Sequence, residues 1–355
     1  MNRSIAAIPN TQPRAVRLLP APTPLYWHVV GAAVQGVSHA RLSLPCQDAQ
    51  GYRLLPDGTL LVALADGAGS ARFSEQGADY AVEAALQSLS AAFEGAGAEA
   101  AGAEAAGAGN LEDWECRLRV VFADAHDAVV SLADLSEDPG VTPRDYAATL
   151  TCVVASSDRL AVGQVGDGAV VAVDGEGNLF AVTRLQRGEY ANETHFISEA
   201  DALEQVVIDV IEIGAAALAV MSDGLIRLAL KMPAQQPHVP FFQPLLRFAE
   251  TVKDDTQSAQ QAVEQLSAFL ASERVNVRTD DDKSLVLAVR DGAAFQNLVS
   301  QEPVGLADRT YTRESPVFSL PEVDTIGSIA PVEDSPSDSE ETSTGVESIF
   351  DRDGE

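Results

Sequence analysis

Two patterns of apolar residues alternate along this chain. In the first, apolar residues run almost unbroken for a few positions and then stop at glycine, proline or aspartate. The clearest case is Leu60-Leu61-Val62-Ala63-Leu64-Ala65, which reads as a strand buried on both faces. Similar runs predict strands over 25–36, 52–55, 149–155, 159–165, 169–173, 179–182, 206–213, 216–221 and 284–289. Pro56-Asp57-Gly58, Gly166-Asp167-Gly168 and Asp174-Gly175-Glu176-Gly177-Asn178 supply the turns. Tight turns between consecutive strands predict antiparallel pairing, with 206–213 and 216–221 as one further pair.

In the second pattern apolar residues return at helical spacing. Ala78, Ala81, Val82, Ala85, Leu86 and Leu89 form a stripe that predicts a helix over 74–93, with Ser74 as its cap. Leu118, Val121, Phe122, Ala125, Val129 and Leu132 do the same over 111–132. Two more helices are expected over 241–252, with Pro244 near its start, and over 256–272.

Three stretches carry neither pattern. Prolines 9, 13, 20, 22 and 24 mark an irregular lead-in over 1–24. Residues 95–109 are an Ala/Gly/Glu tract expected to be a flexible insertion between two helices. From 292 to 355 apolar density falls, and Glu333-Asp334-Ser335-Pro336-Ser337-Asp338-Ser339-Glu340-Glu341 typifies a disordered acidic tail. One folded domain over 25–291 is therefore expected.

Charge sharpens this picture. With 53 acidic and 23 basic residues the net charge is −30, which disfavours nucleic acid and anionic membranes as partners. There is no Gly-x-x-x-x-Gly-Lys phosphate loop. The longest apolar stretch, 208–221, is interrupted by Asp209, Glu212 and Gly214, so no membrane span is expected. Cys46, Cys116 and Cys152 are scattered and odd in number, which argues against disulfides or structural zinc. No signal peptide is read at the N-terminus, and the expected location is the reducing cytoplasm.

The candidate chemistry lies in aspartates where strands begin or end: Gln47-Asp48, Asp66-Gly67, Ser222-Asp223 and Asp280-Asp281-Asp282. Taken singly, each reads equally well as a turn or a solvated loop. Together, several oxygens converging without imidazole or thiolate would suit hard divalent cations and metal-assisted phosphoryl chemistry.

The order of these motifs resembles the metal-dependent protein phosphatases, the protein phosphatase 2C-like (PPM) family, from about 31 to 289. Val34-Gln35-Gly36-Val37-Ser38-His39 with Pro45-Cys46-Gln47-Asp48 is similar to the opening of a bacterial branch. Asp66-Gly67-Ala68-Gly69, Ala147-Ala148-Thr149-Leu150, Val165-Gly166-Asp167-Gly168, Ser222-Asp223-Gly224-Leu225 and Asp281-Asp282-Lys283-Ser284 follow in the family's order. Residues 188–196 resemble a segment of the same branch.

The resemblance implies an α+β fold, a four-layer α-β-β-α sandwich of two antiparallel sheets. It also implies two Mg²⁺ or Mn²⁺ ions at one end. Asp66 would bridge them, the Gly67 carbonyl would bind one, and Asp223 and Asp281 would hold the other. Asp48 would orient the water that attacks phosphorus. The implied substrates are phosphoserine and phosphothreonine in proteins, including a Ser/Thr kinase or its targets, with the enzyme acting as a monomer.

Three positions depart from the family pattern. Gln47 stands where a glutamate is usual, so a metal ligand there brings no charge. Ala68 replaces a histidine suited to protonating the leaving group, and Ser43 replaces a phosphate-binding arginine. His39 and Arg41 are the nearby candidates for those two catalytic tasks; the other readings are that His39 pins a loop and Arg41 is solvated. Asp167 is expected to tie its own turn, and Asn192, Glu193 and Thr194 to be flap contacts or turn formers. Tyr190 and Phe196 are expected in the core. Because of Gln47 and Ala68, a phosphatase-fold binding module without turnover is the competing function.

Overall fold

The computed structural model describes residues 27–94, 111–183, 194–253, 255–293 and 298–301. In chain order its strands begin with β1 (Trp27–Val34), β2 (Asp48–Leu54), β3 (Leu60–Asp66), β4 (Leu150–Ala155) and β5 (Leu160–Val165). Next come β6 (Ala169–Val173), β7 (Asn178–Ala181), β8 (Val207–Ile211) and β9 (Ala217–Met221). β10 (Leu230–Lys231), β11 (Gln236–Pro237), β12 (Lys283–Arg290) and β13 (Val299–Ser300) complete them. The helices are α1 (Val37–Leu42), α2 (Ser74–Phe93), α3 (Leu111–Leu135) and α4 (Ile226–Ala229). They continue with α5 (Val239–Glu250), α6 (Thr256–Leu270) and α7 (Glu273–Asn276).

One sheet has the order β1-β12-β9-β6-β7-β13 and the other β2-β3-β4-β5-β8, while β10 and β11 form a separate small hairpin. The two sheets stack, and each carries helices on its outer face. Along β3, Leu61, Ala63 and Ala65 join the core against α2 and α3. The alternate residues Leu60, Val62 and Leu64 join the core between the sheets. Likewise Leu285 and Leu287 of β12 pack with Phe242 and Leu246 of α5, while Val286 and Ala288 face the other sheet. Both faces of each central strand are dry, which is why these strands read as unbroken apolar runs.

Strand polarity positions the site. β3 and β9 end, and β2 and β12 begin, at the same end of the sandwich, since each sheet's strands pair antiparallel there. The aspartates beside those termini are therefore neighbours in space despite their distance in sequence.

Several local expectations are corrected. β8 and β9 do not pair with each other: β8 pairs with β5 in one sheet, β9 with β12 and β6 in the other. The Gly166-Asp167-Gly168 turn likewise carries the chain from one sheet to the other. Gly166 has φ +108°, and a Cβ there would lie 2.5 Å from Thr149, so only glycine makes this crossing. Ser74 does not cap α2; Phe73 holds the cap position without a side-chain bond, and the Ser74 hydroxyl is buried. Helix α5 starts earlier than expected, with Pro240 in its first turn and Pro244 inside it.

Beyond the expected boundary at 291, β13 adds to the first sheet. It pairs with β7 in parallel, so that sheet is not purely antiparallel. The added strand has only two residues, too few to show a sequence period, and buried Leu298 anchors it. The lead-in over 1–24, the tract over 95–109, Tyr190, Asn192 and Glu193, and nearly all of the acidic tail lie outside the described residues.

Candidate active site

Asp48 and Asp66 face each other directly in the β2–β3 register. The Asp66 backbone is held on both sides: its N–H donates to Thr149 Oγ1 at 2.9 Å, and its carbonyl accepts the Thr149 N–H at 2.8 Å. The Gly67 N–H then donates to the Gln47 carbonyl at 3.1 Å. A Cβ on Gly67 would stand 2.7 Å from that carbonyl oxygen and 2.9 Å from Ser74 Cβ, so a larger residue would push this loop away.

The other sheet supplies the opposing wall. Ser222, at the end of β9, donates its hydroxyl to Asp48 Oδ2 at 2.8 Å and accepts the Ser284 N–H at 3.0 Å. One hydroxyl thus joins the start of β2 to the end of β9 and the start of β12. Asp223 follows it at once, and Asp281 lies two residues before β12.

The carboxylates feel one another. Burial pushes the Asp48 carboxyl up to about 7, against the lowering effect of the Ser222 hydrogen bond, and the Asp282 charge raises it further. Asp66 is driven well above the usual carboxylate range, first by burial and then by the charges of Asp48 and Asp223, with Asp281 also contributing. Burial and then the charge of Asp167 raise Asp223 to about 6. Such mutual destabilisation of negative charge is relieved by protons or by a cation.

The fit to a hard cation rests on oxygens that nothing else uses. Asp48 Oδ1, Asp223 Oδ1 and Gln47 Oε1 are buried without a hydrogen-bond partner among the described residues. These are the donor types that Mg²⁺ and Mn²⁺ take. Among the described residues no three Asp, Glu, His or Cys groups close on one point as a ready-made cage. Water and backbone oxygens would have to complete an ion's shell, as Mg²⁺ in particular favours.

Asp282 differs from its neighbour Asp281. It is buried, and it accepts the Gly36 N–H at 2.5 Å and the Gln47 N–H at 2.6 Å. His39 Nδ1 lies 2.9 Å from the same carboxylate, off the direction of a full hydrogen bond. Asp282 thereby clamps the β1–α1 loop, α1 and the start of β2 to the start of β12. Asp281 is exposed, and among the described residues its carboxylate receives only the Asp282 N–H, at 2.9 Å.

The structure brings Asp48, Asp66, Asp223 and Asp281 together, with Gln47 and Gly67 beside them. His39 packs next to the Asp66–Gly69 loop: its Nε2 stands 3.6 Å, and Gln47 Oε1 3.9 Å, from where a Gly69 Cβ would be. That is the neighbourhood left open by Ala68. Arg41 is exposed on the last turn of α1, and no hydrogen bond or ion pair among the described residues ties it to the carboxylates. Thr194 donates to Asp167 Oδ2 at 3.0 Å, and Phe196 is half-buried. Asp167 does more than hold its turn, because its charge reaches Asp223. Sequence reasoning missed the clamp at Asp282 and the bridge at Ser222; the only signal was that each abuts a strand buried on both faces.

The family model described as Protein phosphatase 2C matches residues 35–271. Serine/threonine-protein phosphatase 3 of Escherichia coli (strain K12) is 36% identical over 268 residues, which span 74% of this chain and 98% of that protein. Among solved structures, serine/threonine phosphatase Stp1 from Staphylococcus aureus is 16% identical, covering 78% of this chain and 99% of its own, with a TM-score of 0.44. The S. agalactiae serine/threonine phosphatase is 16% identical over 74% of this chain and 99% of its own, also at 0.44.

Proposed function

The chain belongs to the protein phosphatase 2C family, and from that premise we propose that its carboxylate pocket carries out metal-dependent hydrolysis of phosphoserine and phosphothreonine in proteins. The observation that supports this most is the convergence of Asp48, Asp66, Asp223 and Asp281 around unpartnered buried oxygens.

In this reading Asp66, Asp223 and Asp281 would hold two ions, Mg²⁺ or Mn²⁺, with the Gly67 carbonyl and the Gln47 amide oxygen as further donors and water filling the remaining positions. When bound, such ions neutralise phosphate oxygens and make a water acidic enough to attack at neutral pH. Asp48, fixed by the Ser222 hydroxyl, would orient the attacking water and accept its proton. As the new P–O bond forms, the bond from phosphorus to the serine or threonine oxygen breaks. His39, steadied by Asp282, gives its proton to the departing oxygen. Arg41 grips the substrate phosphate from the rim. Phosphoproteins, among them a Ser/Thr kinase or that kinase's targets, are the substrates. Three free thiols in the chain fit a reducing cytoplasm, and among the described residues no helix is long and apolar enough to cross a membrane.

The test uses purified full-length protein. With Mn²⁺ it hydrolyses p-nitrophenyl phosphate and a phosphothreonine peptide; EDTA stops both, and Asp66→Asn lowers turnover by at least ~10³-fold. Hydrolysis that persists through both EDTA and Asp66→Asn refutes the assignment.

A further inference from the structure

A second concavity lies away from the carboxylates, between α4, β10, α5, α6 and α7. Its volume is about 800 Å³, within the range of small-molecule sites. Phe241, Leu245, Phe248, Leu266 and Phe269 make its apolar body. Its polar lining is one-sided: Arg227, Lys231, Arg274 and Arg278 border it, and no aspartate or glutamate does.

That charge pattern is unexpected here. The chain has 53 acidic residues against 23 Lys and Arg, yet four of the 23 gather at one cavity free of acids. All four are exposed, and none has an ion-pair partner among the described residues. Three arginines elsewhere are paired locally: Arg72 with Asp138, Arg117 with Asp113 and Arg119 with Glu115. Four unpaired cations around an apolar hollow repel one another, and an anion would relieve them. An apolar body below and cations at the mouth select a molecule with both features.

We propose that this cavity is a binding site for a small amphipathic organic anion, with an apolar alkyl or aryl body in the hollow and a carboxylate, sulfonate or phosphate head on the arginines. The walls connect to the chemistry by short pieces of chain. Arg227 follows Asp223 by one helical turn, and Arg278 precedes Asp281 by three residues. Asn276 of α7 also accepts a hydrogen bond at 2.8 Å from the buried Lys283, next to Asp282.

The experiment needs neither cation nor phosphorylated substrate, so its outcome is independent of the phosphatase assignment. Full-length protein is titrated with 8-anilinonaphthalene-1-sulfonate and followed by fluorescence, and the bound dye is then challenged with decanoate or neutral decanol. The site predicts saturable dye binding, displacement by decanoate, and displacement by decanol at about 10-fold higher concentration or more. Decanoate with decyl phosphate separates a carboxylate from a phosphate head. Arg274→Ser/Arg278→Ser weakens dye and decanoate about 10-fold or more while leaving decanol unchanged, and Arg274→Lys/Arg278→Lys restores most of the loss. Both arginines are exposed, so these variants keep the parent melting temperature. The proposal is overturned by absence of saturable dye binding, by equal competition from decanoate and decanol, or by unchanged binding in the Ser variant. Displacement by an acidic peptide but not by decanoate overturns it in favour of a protein partner.

Discussion

Asp281 and Asp282 are adjacent carboxylates with opposite work, and single substitutions separate them. Asp282 is buried and accepts two backbone N–H groups. Asp282→Ala strands both donors away from water, so the unfolding free energy measured in urea should fall by about 2–5 kcal/mol. Asp281 is exposed and clamps nothing. Asp281→Asn should leave the urea midpoint nearly unchanged while weakening Mn²⁺ binding by calorimetry about 10-fold or more. If the two variants behave alike, the division of labour is wrong. His39 makes a further residue-level prediction. As a proton donor beside the Asp66–Gly69 loop, it should lose about 10²-fold in kcat on change to Ala, with Mn²⁺ affinity retained. From sequence, Asp280-Asp281-Asp282 is one acidic run; only the fold shows which carboxylate turns inward. The metal-ligand candidates were legible because aspartate beside a buried strand is a distinctive grammar. The clamp was not, because it depends on backbone N–H groups 235 and 246 residues away in sequence.

At the level of elements, the sequence disclosed where strands and helices lie better than which of them touch. Runs such as 169–173 and 216–221 were legible as strands because both faces are buried. Their partners were not, since a turn between sheets and a hairpin turn use the same residues. Gly166-Asp167-Gly168 would serve either, and β8 and β9 are consecutive yet belong to different sheets. The joint between the β1–α1 loop and the segment before β12 shows how such crossings place the site. Ser38 N–H donates to the Asp280 carbonyl at 2.9 Å, and a Cβ at Gly36 would stand 2.3 Å from the Asp281 carbonyl carbon. Backbone meets backbone there, so neither side has a flexible group to yield. Gly36→Ala should therefore cost about 1–3 kcal/mol in urea unfolding and, by moving Asp281, also weaken Mn²⁺ binding. Gly175→Ala, where nothing lies within 4 Å, should do neither.

For the molecule as a whole, the converging carboxylates set a pH dependence that a cation should invert. Asp48 and Asp223 are raised to about 7 and about 6, and Asp66 is also raised. In the unfolded chain these groups titrate near 4. Between those values the native state keeps protons that the unfolded chain has released, so the cluster's contribution to stability falls as pH rises from about 4 towards 7. Below about 4 both states are protonated and the contribution is level. A divalent cation binds the deprotonated native cluster, so its stabilisation should grow over the range in which the metal-free protein weakens. Melting temperatures in EDTA should then be lower at pH 7.5 than at pH 5.5, and Mn²⁺ should raise them more at pH 7.5. General repulsion from the net charge of −30 also lowers stability at higher pH, so the parent alone does not isolate the cluster. Asp66→Asn removes one of the mutually repelling charges and leaves the rest of the surface intact. The variant should melt above the parent at pH 7.5 in EDTA, match it more closely at pH 5.5, and gain less from Mn²⁺. A variant that melts below the parent at pH 7.5 in EDTA would mean that Asp66 stabilises the metal-free fold, against the repulsion that its burial among Asp48, Asp223 and Asp281 requires.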